Sequence, residues 1–183
     1  MRQLATLGKY VMGLGLLALG LAACSADEGP PPPCPDIYIV ADTAKLTRFK
    51  PGPGRDIIDM RHEEEMVGFG QSCEYDTDAS GAGEVVVAVA PTIVSRRGPA
   101  NTSGESEFEY FVAITDSQKN IREQARFPVK LVYPSNVPQL RWQRPNPHNL
   151  ILPLKAGETG RNWRIYLGLQ LTRDEVEYKR NTR

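Results

Sequence analysis

The chain predicts an antiparallel β-sandwich, immunoglobulin-like or similar, of about seven to nine short strands with one short C-terminal helix. Three observations carry this expectation. From Asp36 onward apolar residues recur at every second position, the pattern of a strand with one buried face. Turn-rich stretches punctuate the runs: Pro51 to Gly54, Asp78 to Gly83, Gly98 to Gly104, Asp116 to Asn120, Pro134 to Pro138 and Ala156 to Gly160. No long segment sustains a helical period. A β-barrel of the up-and-down kind is the alternative arrangement of the same strands.

In chain order, Ile37, Ile39 and Ala41 alternate with Tyr38 and Val40 to give an entry strand. Val67, Phe69, Gln71, Cys73 and Tyr75 are expected to share one face, with Met66, Gly68, Gly70 and Ser72 on the other. Val85, Val87 and Val89 mark the next strand. Phe108, Tyr110, Val112 and Ile114 alternate with Glu107, Glu109, Phe111 and Ala113, and Phe127, Val129, Leu131 and Tyr133 with Arg126, Pro128, Lys130 and Val132. Leu150, Leu152 and Leu154 form a shorter strand broken by Pro153. Trp163, Ile165, Leu167, Leu169 and Leu171 define the strongest core strand. Pro128 and Pro153 assign their strands to edges or bulges, because proline cannot donate to a ladder. Thr172-Arg173-Asp174-Glu175 is a capping box that opens a helix toward Arg180.

Ahead of this domain, Arg2 and Lys9 precede an apolar, glycine-rich stretch, Val11 to Leu21, which ends in Leu21-Ala22-Ala23-Cys24. A basic region, an apolar core and small residues before a cleavage point make a secretory signal. The stretch falls short of the ~20 apolar residues of a membrane span and is interrupted by Gly13, Gly15 and Gly20. It resembles the lipobox of bacterial lipoproteins. That resemblance implies removal of residues 1–23, lipidation of the Cys24 thiol and acylation of the new amino terminus. Ser25, rather than Asp, follows the cysteine, which in that family implies sorting to the outer membrane, with the domain in the periplasm; Asp27 is a weaker signal against it. Several acyl chains at about 0.8 kcal/mol per buried methylene suffice to hold the protein at the membrane. Residues 24–35, with Pro30 to Pro33 and Pro35, then read as an extended, semi-rigid tether, and residues 36–183 as the domain.

Without residues 1–23, 160 of the 183 residues remain, enough for one domain with its own core. Arg2 and Lys9 leave with the signal, so 20 cations face 22 anions, and nothing in that balance points to nucleic acid. Of the three cysteines, subtracting Cys24 leaves Cys34 and Cys73 as a pair. A disulfide suits an oxidising compartment, whereas a metal site lacks the close Cys or His spacing that zinc requires.

Chemistry-bearing constellations are few. His62 opens His62-Glu63-Glu64-Glu65 without the second histidine of a zinc-protease helix and reads as a solvated loop or short turn. His148 reads as a surface residue in a turn. There is no G-x-S-x-G elbow, S-x-x-K or thiol–histidine pair, and the expectation is of no catalytic site and no cofactor. Asp76, Asp78 and Ser80, followed by Gly81, match the first half of a calcium loop, but Val87 stands where a bidentate glutamate is required; a polar hairpin turn is the simpler reading. Gly68 and Gly70 leave a flat face on their strand, and Arg141, Trp142 and Arg144 combine the residue types of interface hot spots; these five are the candidate partner contacts, against core packing as the alternative. Asn101-Thr102-Ser103 marks an exposed polar loop.

The mature chain is similar to small β-rich lipoproteins of Gram-negative envelopes, through the Cys34 to Asp42 entry strand, the Gly68-Phe69-Gly70-Gln71-Ser72-Cys73 strand and the Leu169 to Tyr178 ending. The resemblance implies a location and no activity. The function expected from these readings is a non-enzymatic structural or interaction module for other envelope proteins, with a binding protein for a small ligand, calcium or cell-wall glycan as the alternative.

Overall fold

The computed structural model describes residues 30–182; Cys24 and the signal segment lie outside the described residues. Nine strands form two sheets: β1 (Asp36–Ile39), β2 (Lys45–Phe49), β3 (Met60–Thr77), β4 (Gly83–Arg97), β5 (Glu105–Thr115), β6 (Ile121–Val132), β7 (Gln139–Gln143), β8 (His148–Leu154) and β9 (Arg164–Leu169), followed by helix α1 (Arg173–Asn181). One sheet has the order β1-β9-β5-β6. The other runs β2-β3-β4, with β7 and β8 end to end along the far edge of β4. All pairs are antiparallel except β1 with β9. The sheets do not close on each other, so the molecule is a sandwich and not a barrel.

The core is where the two alternating patterns meet. Val85, Val87, Val89 and Ile93 of β4 face Tyr110, Val112 and Ile114 of β5 and Ile165, Leu167 and Leu169 of β9. Each such side chain contributes roughly 1.5–3 kcal/mol of burial. Pro128 and Pro153 lie in β6 and β8, which each pair along one side only, so the missing donors disturb no ladder. The capping box also forms: Thr172 N donates to Glu175 Oε2 (2.7 Å) and Glu175 N to Thr172 Oγ1 (3.3 Å).

Five expectations need correction. Strand β3 begins at Met60 and includes His62 to Glu65, which are not a loop. Opposite Ile93 and Thr92 it carries a bulge at Val67, which flips the side-chain parity. His62, Glu64 and Met66 point inward before the bulge, and Phe69, Cys73 and Tyr75 after it; Met66 is in the core and does not share a bare face with Gly68 and Gly70. Strand β8 runs through Pro153 unbroken. Strand β9 ends at Leu169, and its outer face is covered at Gly168, where a Cβ would collide with Thr43 Oγ1 and lie 2.7 Å from the Phe111 ring. Asn101 is buried and not an exposed loop residue: Nδ2 donates to Glu105 O (2.8 Å) and Oδ1 accepts from Gly104 N (2.9 Å), holding the β4–β5 turn.

The strand registers give the sandwich two poles. At one, the chain enters: Cys34 and Cys73 form a disulfide with Cα atoms 5.9 Å apart. Tyr75 OH donates to Pro33 O and accepts from Gly160 N, both at 2.7 Å. A side chain at Gly160 would stand 2.7 Å from Pro33 O, so only glycine lets the entering segment lie this close. The β3–β4 and β8–β9 turns lie at this tether pole, with Trp163 Nε1 donating to Pro153 O (3.0 Å) between the sheets. At the opposite, distal pole are Met60, Arg97, Glu105, Val132 and α1, which packs on the end of β2.

Candidate functional site

Three polar clusters emerge from this framework. The first lies inside the sandwich. His62 and Glu64, two residues apart on β3, share the inward face; His62 is 2% exposed and Glu64 0%. His62 Nδ1 donates to both Glu64 oxygens (2.8 and 2.9 Å), and Ser95 Oγ donates to Glu64 Oε1 (2.8 Å). Having spent its proton there, Ser95 accepts from Tyr133 OH (2.5 Å), and Ser106 Oγ lies 3.2 Å away. Burial pushes the Tyr133 phenol up, which keeps it a donor. Serine, histidine and carboxylate thus meet, but the carboxylate sits between the other two and no imidazole bonds the serine, unlike a nucleophile–base–orienter relay. The arrangement clasps β3, β4, β5 and the segment after β6. Reading His62 as solvated missed this because a buried His–Glu pair on one strand face has the same local sequence as a charged loop.

The second cluster collects two of the five candidate contacts. Trp142 and Arg144, on β7 and just after it, turn toward the facing sheet, while Arg141 is exposed on the outer face. Arg144 donates to Tyr110 OH (3.0 Å) and stacks 5.3 Å from the Phe127 ring centroid; Trp142 lies 6.2 Å from Tyr110, centroid to centroid. His148, the first residue of β8 and not a free surface group, stacks on Phe127 at 3.9 Å and meets Tyr110 OH at 2.7 Å. Since Tyr110 OH accepts from Arg144, it donates to a neutral His148 Nε2. Burial, then the nearby Arg144 charge, lowers the His148 pKa from 6.5 to about 4. The unfolded chain therefore takes this proton first, so stability should fall as pH drops from about 6.5 to about 4 and level off below. Urea unfolding across that window should show a shallower loss for His148→Gln. The cluster is an aromatic plug at the open side of the sandwich, with Arg144 as its cation.

Gly68 and Gly70 lie on the outer face of the second sheet. Gly68 is open above its Cα, whereas Gly70 is crossed by Gln143, whose Nε2 lies 3.2 Å from a would-be Cβ. Around Glu65 and Glu63 that face is laced by Arg96 (3.3 and 2.9 Å), whose pKa these bonds raise, Glu63 first. Asp78 Oδ1 accepts from Ser80 N, Ser80 Oγ and Ala82 N (2.8, 2.6 and 3.1 Å), the bonds of a side-chain-closed turn. The Ser80 hydroxyl leads in holding the Asp78 carboxyl below its ordinary range. Among the described residues no group of three or more His, Cys, Asp or Glu is placed to hold a metal ion.

The third cluster was not anticipated. At the distal pole a cleft of about 340 Å³ is lined by Arg48, Phe49, Lys50, Arg55, Arg61 and Tyr178, with Thr172, Asp174 and Glu175 of the helix start. A second hollow, about 550 Å³, continues from it past Arg55, Asp174 and Tyr178 to Asp56 and Asn181. Arg48 Nε donates to Glu175 Oε1 (3.0 Å) and NH1 to Glu107 O (2.6 Å); Lys50 pairs with Asp59 (2.7 Å) and lowers its pKa. Arg55 is held by the carbonyls of Gly52 and Gly54 (2.7 and 2.8 Å), 5.5 Å over the Phe49 ring. Phe49 meets Tyr178 edge-on at 4.8 Å. No family model, curated protein or solved structure matches this chain. The distal cleft escaped the sequence reading because its cations come from a strand, a loop and a bulge spread over Arg48 to Arg61, with no periodicity to join them.

Proposed function

We propose that this protein is a lipid-anchored, periplasm-facing module of the outer membrane that acts without catalysis, presenting its distal pole to other envelope components. The observation that carries the reading is the polar layout of the domain: entry through Cys34 at one end, the cation-lined cleft at the other. Ten residues separate Cys34 from Cys24, the lipid-bearing position of the lipobox reading, so the pole joined to the tether is the one nearer the bilayer. Cys73 and Met60 are 13 residues apart on β3, about 40 Å along an extended strand. A disulfide suits an oxidising, extracytoplasmic compartment. A non-catalytic role is favoured by the buried clasp, in which the serine and histidine are both committed to Glu64.

Binding of a small ligand or cell-wall glycan is the second reading, favoured by the distal cleft, where cations and two aromatic rings converge on a concave surface. The anchor is tested by metabolic labelling with a fatty acid. Wild-type protein should incorporate label and Cys24→Ser should fall to background, since no other residue of the segment offers a thiol; undiminished labelling of the variant would overturn the assignment.

A further inference from the structure

We infer that the distal cleft is an oxyanion-binding site, in which the guanidiniums of Arg55 and Arg61 receive a phosphate or carboxylate group beside the Phe49 and Tyr178 rings. The inference depends on the distal pole being the working end and is independent of the anchor. It begins with strand β3, where Arg48 pairs with His62 but Phe49 with Met60, leaving Arg61 as the extra residue of a bulge. A bulge re-aims its side chain, and Arg61 lines the cleft with no acidic partner among the described residues.

Charge accounting separates the four cations. Arg48 is neutralised by Glu175, whose other oxygen caps Thr172 N, and Lys50 by Asp59. Arg55 is fixed by two neutral carbonyls and by Phe49, and it meets Asp59 only through space, that carboxylate being bonded to Lys50, so it is oriented without an ion pair of its own. The cleft therefore carries two guanidiniums without an ion pair among the described residues, against one of its own lining carboxylates, Asp174, that has no cation bonded to it. Guanidinium forks match the paired oxygens of phosphate and carboxylate. Prior fixation of Arg55 lowers the ordering cost of binding. Two forks favour a dianion, so phosphate should bind more tightly than a monocarboxylate.

The test is calorimetric titration of the full chain in maltoside micelles at low salt, with inorganic phosphate and then acetate as probes. Phosphate should bind saturably and Arg61→Gln should weaken it about tenfold, the loss of a charge-assisted pair. Asp174→Asn should tighten phosphate binding about two- to fivefold by removing the competing charge, a gain that no unfolded variant can mimic. Tighter binding of acetate than phosphate would support the site and assign it to carboxylate ligands. Absence of saturable binding, or identical affinities in wild type, Arg61→Gln and Asp174→Asn, would overturn the inference. Failure of the anchor would appear only in the fatty-acid labelling, because Cys24 takes no part in this binding.

Discussion

Glu64→Ala should destabilise the domain by about 3–5 kcal/mol, the cost of breaking a buried pair and orphaning its partners. The carboxylate is wholly buried and accepts from His62 Nδ1 and Ser95 Oγ. Its removal leaves an imidazole and a serine hydroxyl without their acceptor, and Tyr133 bonded to a serine that has lost its anchor. His62→Leu with Glu64→Leu together should recover part of the loss, since an apolar pair leaves less unsatisfied than one severed member. Chemical denaturation of the three proteins measures both effects. Equal stability of Glu64→Ala and wild type would show that the clasp contributes nothing.

Leu167→Ala should cost about 2–5 kcal/mol through lost burial and the cavity left behind. Leu167 is fully buried at the centre of β9, between β1 and β5. Gln170 lies past the end of the strand, partly exposed; its backbone N donates to Glu109 O (2.8 Å), but its side-chain amide reaches only the adjacent Leu171 carbonyl (3.4 Å). Gln170→Ala should therefore stay within about 1 kcal/mol of wild type. Urea midpoints distinguish the two substitutions, and similar losses would mean that the face carrying Gln170 is packed as tightly as the core.

How far the fold could be read from sequence follows from which residues obey a single period. The alternations of Phe108 to Ile114 and Ile165 to Leu169 name the core strands, and both lie where their apolar faces place them. The Cys34–Cys73 pair could be expected once the lipobox reading sets Cys24 aside, and the fold brings their Cα atoms to 5.9 Å. Strand β3 resisted the same reading. Its bulges at Arg61 and Val67 shift the parity twice, and its inward face before Val67 holds His62 and Glu64, which no hydrophobic pattern reveals. Strands β2 and β7 are five residues each and rich in charge or amide, so their alternation is too short to register. The distal cleft needs Arg48, Arg55 and Arg61 brought together across the β2–β3 connection with a helix more than a hundred residues later, a juxtaposition that only the folded chain contains. Trp142 and Arg144 carried a signal of interaction chemistry, and most of it is spent on Tyr110, Phe127 and His148 within the molecule.

The central claim is that a lipid at Cys24 holds the tether pole toward the bilayer and leaves the distal pole free. It is tested most directly by placing a fluorophore on Ser80→Cys, in the exposed β3–β4 turn, or on Ser135→Cys, in the exposed turn after β6, in the lipidated mature protein on vesicles containing a bilayer-embedded quencher. The account predicts strong quenching at position 80 and weak quenching at position 135. Equal quenching at both positions, or stronger quenching at 135, would contradict it.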